Sequence, residues 1–301
     1  MKVPSIFVLV FLLVGSIGRV GAIQPVLRPM DVIAFVGGED LLFVADSGRL
    51  ELRLTRAWPD YRLKFRNLAW EADTVFRQAR DPNYPSLEHQ LDEVGATVVI
   101  LQFGQMESLA GERKLPDFVA AYENLIARLA GGGKRRIILL APTPVPADSP
   151  AASRFKAISA YSSAVLDLAR RNEVPAFFPE RDVKLTFGDY RNGVHLNEAG
   201  HAAISDGIAR LLGVESDFSP QLTSSEIELS RLIRVKNRLR FYYARPQNLA
   251  FFIGERTEQP FGRDHLNPDK PLYPDESKQY PSLIAQQEDR IWDFAKELVR
   301  K

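Results

Sequence analysis

The chain has 301 residues, of which 45% are hydrophobic and 26% are charged, so it can bury one large core or two modest ones. This composition excludes a disordered or fibrous protein, and the absence of cysteine excludes disulfides, a thiol nucleophile and lipid attachment at an N-terminal cysteine. The near balance of 39 basic and 38 acidic residues predicts neither a nucleic-acid-binding surface nor a polybasic membrane patch.

The first 22 residues have the pattern of a secretory signal peptide. Lys2 gives a basic start, an apolar run extends from Ile6 to Val14, and small residues end the segment at Ala22. The apolar run is shorter than a transmembrane helix requires, although an uncleaved anchor is the alternative. We therefore expect cleavage near Ala22, export to the periplasm or the medium, and no stable membrane insertion afterwards.

Beyond this segment, β-branched apolar runs alternate with segments of helical periodicity, which is typical of a parallel sheet covered by helices on both faces. Strands are predicted at 31–36, 61–66, 96–103, 135–140 and 174–178. Helices are predicted at 40–54, 117–130, 151–172 and 198–212. The GGGK sequence at 131–134 precedes a strand and lacks the spacing of a phosphate loop, so we expect it to end a helix.

From about residue 214 the alternation stops. A polar link leads to a basic helical segment at 229–248, then to a segment rich in proline and charge, and then to an amphipathic helix at about 281–299. We expect residues 214–301 to form a helical and extended appendage that wraps the α/β domain at 23–213. Its aromatic residues could stack on sugars, but packing against the sheet domain is the simpler prediction; they include Phe241, Tyr242, Tyr243, Phe251 and Phe252.

The strongest local signal for a functional site is DYRNGVHLNEAGH at 189–201. His195 follows the last predicted strand and directly precedes a helix that Asn197 can cap. A histidine there faces the carboxyl ends of the strands, where open α/β sheets bind ligands. A histidine that only satisfies loop hydrogen bonds is the simpler alternative.

Four short blocks, each after its expected strand, resemble those of the SGNH or GDSL hydrolases, which are esterases, lipases and carbohydrate deacetylases. The resemblance covers about residues 31–212 and implies a three-layer α/β/α sandwich with a five-stranded parallel sheet in flavodoxin-like order. In this family a Gly-Asp-Ser block supplies the nucleophile, a glycine and an asparagine donate to the oxyanion, and an Asp-x-x-His block supplies the acid and base.

The resemblance places Glu39 at the position of the nucleophilic serine, and only His195 matches the family at a functional position. The oxyanion and cleft positions are Gly38, Ala72, Gly104, Met106 and Asn192. Attack of a carboxylate on an ester would give a mixed anhydride, and His195 would have no hydroxyl to deprotonate. Loss of one oxyanion donor, as at Met106, costs ~10²–10³ in rate, and an amide in place of the triad aspartate, as at Asn192, costs ~10⁴.

Other residues could rebuild a site around His195. Asp189 or Glu39 could act as its acid or base partner, and Ser47 or Ser108 could be a displaced nucleophile. Trp70 and Glu107 are predicted to contact a ligand, although an acidic residue that merely lies in a loop is the simpler interpretation of Glu107. No spacing motif supports a metal ion, and we expect no cofactor.

The sequence leaves three functions open. The first is a weakly active or non-catalytic relative, a pseudoenzyme, that binds a carbohydrate or acylated small molecule in a retained cleft. The second is an active ester or glycan hydrolase with a rearranged site at His195. The third is an interaction module of an exported assembly, whose protein partner the sequence does not identify.

Overall fold

The computed structural model describes residues 27–78, 80, 83–215, 218–246, 249, 256, 264–270 and 277–300. The predicted signal segment lies outside the described residues, as do Phe251 and Phe252 of the predicted aromatic group. Among the helices in the described ranges, none is long and apolar enough to cross a membrane.

In the described part of the chain, parallel strands form a five-stranded sheet in the order β2-β1-β3-β4-β5. The strands are β1 (Val32–Gly37), β2 (Lys64–Asn67), β3 (Val98–Gln102), β4 (Arg136–Leu140) and β5 (Ala176–Phe177). Each overlaps one predicted strand, and the flavodoxin-like order is confirmed.

The central strand β3 is buried along its whole length. Its Ile100 pairs with Phe35 of β1 and with Ile138 of β4. Because successive side chains of a strand point to opposite faces, Ile100 packs in one hydrophobic cluster and the adjacent Leu101 packs in another. Burial on both faces explains why this strand reads as a continuous apolar run.

Helices cover both faces of the sheet. The first face packs against α1 (Glu39–Ser47), α2 (Arg49–Ala57) and α8 (Glu198–Leu211). The second face packs against α3 (Leu87–Glu93), α5 (Leu115–Ala130) and α6 (Ile158–Arg171). The short helices α4 (Gln105–Ser108) and α7 (Pro179–Asp182) follow β3 and β5. The predicted three-layer α/β/α sandwich is therefore confirmed.

Backbone conformation explains where helix boundaries differ from the prediction. The helix predicted at 40–54 is two helices, because Gly48 has a φ of 69° and interrupts the chain between α1 and α2. The helix predicted at 151–172 begins only at Ile158, after a 3₁₀ turn at Ala152–Arg154. Gly131, with a φ of 57°, ends α5 as predicted.

Two long helices, α9 (Ser224–Ala244) and α10 (Tyr280–Arg300), lie in the described part of the predicted appendage. A third hydrophobic cluster joins them to α2 and consists of Leu52, Leu229, Ile233, Ile291, Trp292 and Ala295. Buried ion pairs lie beside this cluster, with Lys236 Nζ 2.6 Å from Glu51 Oε2 and Arg66 Nη1 2.5 Å from Glu288 Oε1. The domain boundary at residue 213 stays a prediction.

Candidate functional site

A cavity of about 190 Å³ lies at the carboxyl ends of β1 and β3, and we call it the strand-end cavity. Its lining consists of Gly38, Glu39, Asp40, Leu41, Glu71, Ala72, Asp73, Gln102, Phe103, Gly104, Gln105, Met106, Glu107, Pro142 and His195. It therefore brings together His195, Glu39 and four of the five predicted oxyanion and cleft positions.

The turn after β1 presents two carboxylates to the strand-end cavity. A Cβ atom on Gly37 would lie 2.4 Å from the carbonyl oxygen of Gln102, so only glycine allows β1 and β3 to meet this closely. Gly38 is the N-cap of α1, and Glu39 and Asp40 form its first turn. The positive end of the helix dipole stabilises both negative charges there.

His195 lies beside both of these carboxylates. Its Nδ1 is 3.5 Å from Glu39 Oε1 and 3.9 Å from Asp40 Oδ1. This buried nitrogen has no hydrogen-bond partner among the described residues. The Asp40 carboxylate has the largest effect on the pKa of His195 and raises it above its usual value; partial burial opposes this shift and Glu39 adds to it. The structure thus gives His195 two carboxylate neighbours rather than one.

The side-chain amide of Gln105 holds Asp40 in place, and neither residue was predicted from the sequence to belong to the site. Gln105 Nε2 donates a 2.9 Å hydrogen bond to Asp40 Oδ2, and Asp40 is only 6% exposed. Aligning Gly38-Glu39-Asp40 with the Gly-Asp-Ser block, one residue later than predicted, would have placed Asp40 at the serine position and revealed it. Gln105 has no matching position in the family pattern.

Glu107 joins two of the loops around the strand-end cavity. Its Oε1 accepts a 2.8 Å hydrogen bond from Val75 N, and its Oε2 accepts one of 2.8 Å from Gly104 N. Burial raises its pKa, although these backbone hydrogen bonds oppose the shift. Both carboxylate oxygens already accept hydrogen bonds from the backbone. Glu107 therefore holds the two loops together and is less suited to contact a ligand.

Asn192 and Asp189 shape the loop that carries His195. Asn192 Oδ1 accepts hydrogen bonds from the backbone N–H groups of Val194 and His195, at 3.2 and 2.8 Å. Asp189 Oδ2 accepts hydrogen bonds from Thr186 N and Thr186 Oγ1, at 2.7 and 2.9 Å. Both side chains bond locally, and neither is among the residues that line the strand-end cavity.

The three other predicted oxyanion positions lie in the wall of the strand-end cavity. Ala72 has a φ of 62° and Gly104 a φ of 117°, so both occupy backbone conformations that favour glycine. The Met106 side chain has no hydrogen-bond donor and is 48% exposed. The cavity therefore keeps the backbone shape of these loops but has no side-chain donor at position 106.

Trp70 lies next to the strand-end cavity rather than in its wall. The Arg80 and Arg245 guanidinium groups lie 4.2 and 3.9 Å from the centre of its ring system. Tyr84 packs against it edge-on, at 5.7 Å between ring centroids. These contacts occupy much of the Trp70 ring that a sugar would need for stacking.

Ser47 and Ser108, the two residues considered as displaced nucleophiles, donate their hydroxyl hydrogen bonds to backbone carbonyl groups. Ser47 Oγ donates to Val44 O at 2.8 Å, and Ser108 Oγ donates to Gln105 O at 2.7 Å. None of the described residues that line the strand-end cavity carries a hydroxyl or a thiol. Gln102 is 6% exposed, and its Oε1 has no hydrogen-bond partner in the described part of the chain.

Acidic side chains around the strand-end cavity are held by other protein groups. Arg191 Nη2 lies 3.0 Å from Glu39 Oε1, and Arg80 pairs with Asp73 at 2.7 Å. Within the described ranges, no group of three or more histidine, aspartate or glutamate side chains could hold a metal ion.

Solved structures resemble this architecture. A gut microbial diltiazem-metabolizing enzyme is 10% identical, and the match covers 90% of this chain and 96% of that chain with a TM-score of 0.60. A lipase/acylhydrolase from Enterococcus faecalis is 17% identical over 64% of this chain and 100% of that chain, with a TM-score of 0.46. The protein has the α/β/α fold that the resemblance to the SGNH/GDSL hydrolases predicted.

A variant of an acetyl xylan esterase from Geobacillus stearothermophilus also matches, at 15% identity over 64% of this chain and 100% of that chain, with a TM-score of 0.46. At such identities the likeness concerns the fold alone. No protein-family model and no curated protein sequence matches the chain.

Proposed function

We propose that the protein is an exported SGNH/GDSL-fold protein that binds a small carbohydrate or acylated ligand in the strand-end cavity and has lost serine-dependent ester hydrolysis. One observation carries this proposal. The residues at the nucleophile turn are Glu39 and Asp40, and no described residue in the cavity wall offers a hydroxyl or thiol. An acyl-serine intermediate therefore has no residue on which to form.

The chemistry of the cavity wall supports a ligand that carries hydroxyl groups. Carboxylates such as Asp40 accept hydrogen bonds from hydroxyls, and Gln102 Oε1 is a buried acceptor without a partner among the described residues. Leu41, Phe103 and Pro142 supply apolar surface for the C–H groups or the acyl chain of such a ligand.

The test combines hydrolysis and binding on the mature protein. Acetylated and short-acyl esters are expected to show no turnover, while a screen of short glycans and acylated sugars is expected to find saturable binding. His195→Ala should weaken that binding by at least tenfold, because it removes a polar group from the cavity wall. His89→Ala is the matched control, since His89 is exposed on α3. Equal affinity of wild type and His195→Ala would show that the ligand binds elsewhere.

Trp70 tests how far such a ligand extends. Because Arg80 and Arg245 lie against its ring, Trp70→Phe should leave the affinity within about twofold if the ligand stays inside the strand-end cavity. A larger loss would place part of the ligand on the neighbouring loop, as the sequence predicted for Trp70.

A second candidate function is hydrolysis by a rearranged site. The specific observation in its favour is His195 Nδ1 at 3.5 Å from Glu39 Oε1, because a carboxylate beside an imidazole stabilises the cation formed in general-base catalysis. This candidate predicts ester turnover that disappears in His195→Ala. Asp189→Asn distinguishes its proposed partners: activity should persist if Glu39 is the partner of His195.

Export is part of the proposal and is supported by the N-terminal sequence pattern. Expression of the full chain in a bacterium with a periplasm should give a periplasmic product whose N-terminus follows Ala22. A cytoplasmic product that retains Met1 would contradict it.

A further inference from the structure

Asp40 has the position and the surroundings of a nucleophile. It follows the glycine turn at the end of β1, lines the strand-end cavity, and is held by Gln105 through Oδ2 alone. Its Oδ1 points towards the His195 side, 3.9 Å from Nδ1. A carboxylate that is fixed by one oxygen, with an imidazole beside the other, is arranged for covalent chemistry followed by hydrolysis.

The type of nucleophile decides the type of substrate. A carboxylate that attacks an ester forms a mixed anhydride, which is more reactive than the ester and gives no advantage. A carboxylate that attacks a saturated carbon displaces a leaving group and forms an ordinary alkyl ester, which water can hydrolyse with general-base help. The residues at this turn therefore suit displacement at carbon better than acyl transfer.

We infer that Asp40 is a covalent nucleophile that displaces a stable anion, of which a halide is the simplest, from a saturated carbon of a small alkyl substrate, and that His195 then activates water to hydrolyse the resulting ester. This inference goes beyond the proposed function, and it rests on that function only in requiring that a small molecule enters the strand-end cavity.

In the first step, Asp40 Oδ1 forms a bond to the substrate carbon while the bond from that carbon to the halogen breaks. The electron pair of the broken bond leaves with the halide. No proton moves in this step, so the absence of a side-chain donor at Met106 does not impede it. The product is the alkyl ester of Asp40.

In the second step, His195 Nδ1 takes a proton from water, and the water oxygen bonds to Cγ of Asp40. Gln105 Nε2 donates to Oδ2, where negative charge develops, and Glu39 at 3.5 Å stabilises the imidazolium. The bond from Cγ to Oδ1 breaks, and the alcohol leaves with Oδ1 and the proton from His195. The new Asp40 carboxylic acid then ionises, so the sum is alkyl halide plus water giving alcohol, halide and a proton.

The wall of the strand-end cavity fits an alkyl group. Leu41, Phe103 and Pro142 provide apolar surface beside the carboxylate. Gln102 Oε1, buried and without a partner among the described residues, can accept a hydrogen bond from the attacking water or from the alcohol product. At about 190 Å³ the cavity admits short substrates, which directs the choice of probe.

The experiment uses the mature protein with 1-bromobutane and 1-chlorobutane, and it measures halide release and isotope transfer. In ¹⁸O-water, a single turnover should leave ¹⁸O in the peptide that contains Asp40, and the butanol should carry unlabelled oxygen from Asp40. His195→Gln should slow the second step by ~10²–10⁴-fold. That variant should therefore accumulate a butyl group on Asp40, seen by mass spectrometry of the digested protein.

Asp40→Asn should reduce halide release to the uncatalysed rate. Asp167→Asn, an exposed carboxylate on α6, is the control for nonspecific alkylation and should behave as wild type. If Asp40→Asn does not fold, the isotope measurement on the wild type still decides, because it needs no variant.

Halide release with unlabelled Asp40, or release that persists in folded Asp40→Asn, would overturn the assignment of Asp40 as nucleophile. The absence of halide release from both probes would overturn it as well. In that case saturable binding of a glycan or acylated sugar would leave the proposed function standing, whereas no binding of any ligand would reject both.

Discussion

Two regions of the molecule bury polar and charged side chains, and they differ in how these groups are bonded. Where α9 and α10 meet α2, Lys236 pairs with Glu51 and Arg66 pairs with Glu288. At the strand-end cavity, His195 Nδ1 and Gln102 Oε1 have no hydrogen-bond partner in the described part of the chain, although Glu39 Oε1 lies 3.5 Å from His195 Nδ1. Buried charges that pair with each other stabilise the fold, whereas buried atoms without hydrogen bonds in a cavity wall can still bond to a small molecule.

The comparison is tested most strongly at the helix junction. Lys236→Met leaves Glu51 buried without its cation, and we expect the free energy of unfolding to fall by ~3–5 kcal/mol in denaturant titrations. The double variant Lys236→Met with Glu51→Leu should recover most of this loss, because no unpaired charge remains. Lys114→Met, in the exposed pair with Asp117, is the control and should change stability by less than about 1 kcal/mol. Similar losses of stability in Lys236→Met and Lys114→Met would show that the buried pair stabilises the fold no more than the exposed pair does.

A second test asks how much stability depends on the close approach of β1 and β3 beside the strand-end cavity. Gly37→Ala places a Cβ atom 2.4 Å from Gln102 O, so we expect a loss of ~1–3 kcal/mol in the free energy of unfolding. Gly38→Ala is the neighbouring control, because its Cβ would lie 3.4 Å from Asp73 O, at ordinary contact distance. A Gly37→Ala variant as stable as Gly38→Ala would contradict the proposed role of this contact.

A third test concerns strain in the cavity wall. Ala72 has a φ of 62°, a conformation that costs a non-glycine residue ~1–2 kcal/mol. Ala72→Gly removes that cost but adds chain entropy of ~0.5–1 kcal/mol to the unfolded state. We therefore expect a net stabilisation of ~0.5 kcal/mol by thermal unfolding, and a loss of stability would contradict it. Ala127→Gly, at an exposed position within α5, should instead lose ~1 kcal/mol.

Much of the fold could be predicted from the sequence, because it depends on patterns that repeat along a strand or helix. The apolar runs that became β3 and β4 are buried on both faces, and such runs need no knowledge of distant residues. The short helices α3 and α4 were missed, since each has too few residues to show a period.

The site was predicted only in part, because its geometry depends on contacts between distant residues. His195, singled out from its position before a capped helix, lines the strand-end cavity; Asp40 lines it too but was not singled out, because the family pattern was aligned one residue earlier. Trp70 was predicted to face a ligand, whereas the ring lies against Arg245, which is far away in the sequence. Asn192 and Asp189 use their side-chain oxygens in local hydrogen bonds, so these atoms are already occupied. Such bonds leave no periodic pattern in the sequence.

The smallest expected effect compares two histidines. The carboxylates of Asp40 and Glu39 raise the pKa of His195, whereas burial lowers the pKa of His201. Imidazole NMR signals should therefore show His195 titrating above the ordinary value of about 6.5 and His201 below it. Glu39→Gln should lower the pKa of His195 and leave that of His201 unchanged; an unchanged His195 would reject the interaction with Glu39.

These shifts have opposite consequences for stability. Folding raises the pKa of His195, so its stabilising contribution is complete below about pH 6.5 and is lost as the pH rises through the folded-state pKa. Folding lowers the pKa of His201, so its effect has the other sign: stability falls as the pH drops below about 6.5 towards the folded-state pKa. Above about pH 6.5, thermal unfolding of His195→Gln should vary less with pH than that of the wild type. An identical pH dependence in the two proteins would mean that the carboxylates at the strand-end cavity do not hold the His195 proton. His195 would then lack an ionic partner in the folded protein, unlike the buried pairs of the helix junction.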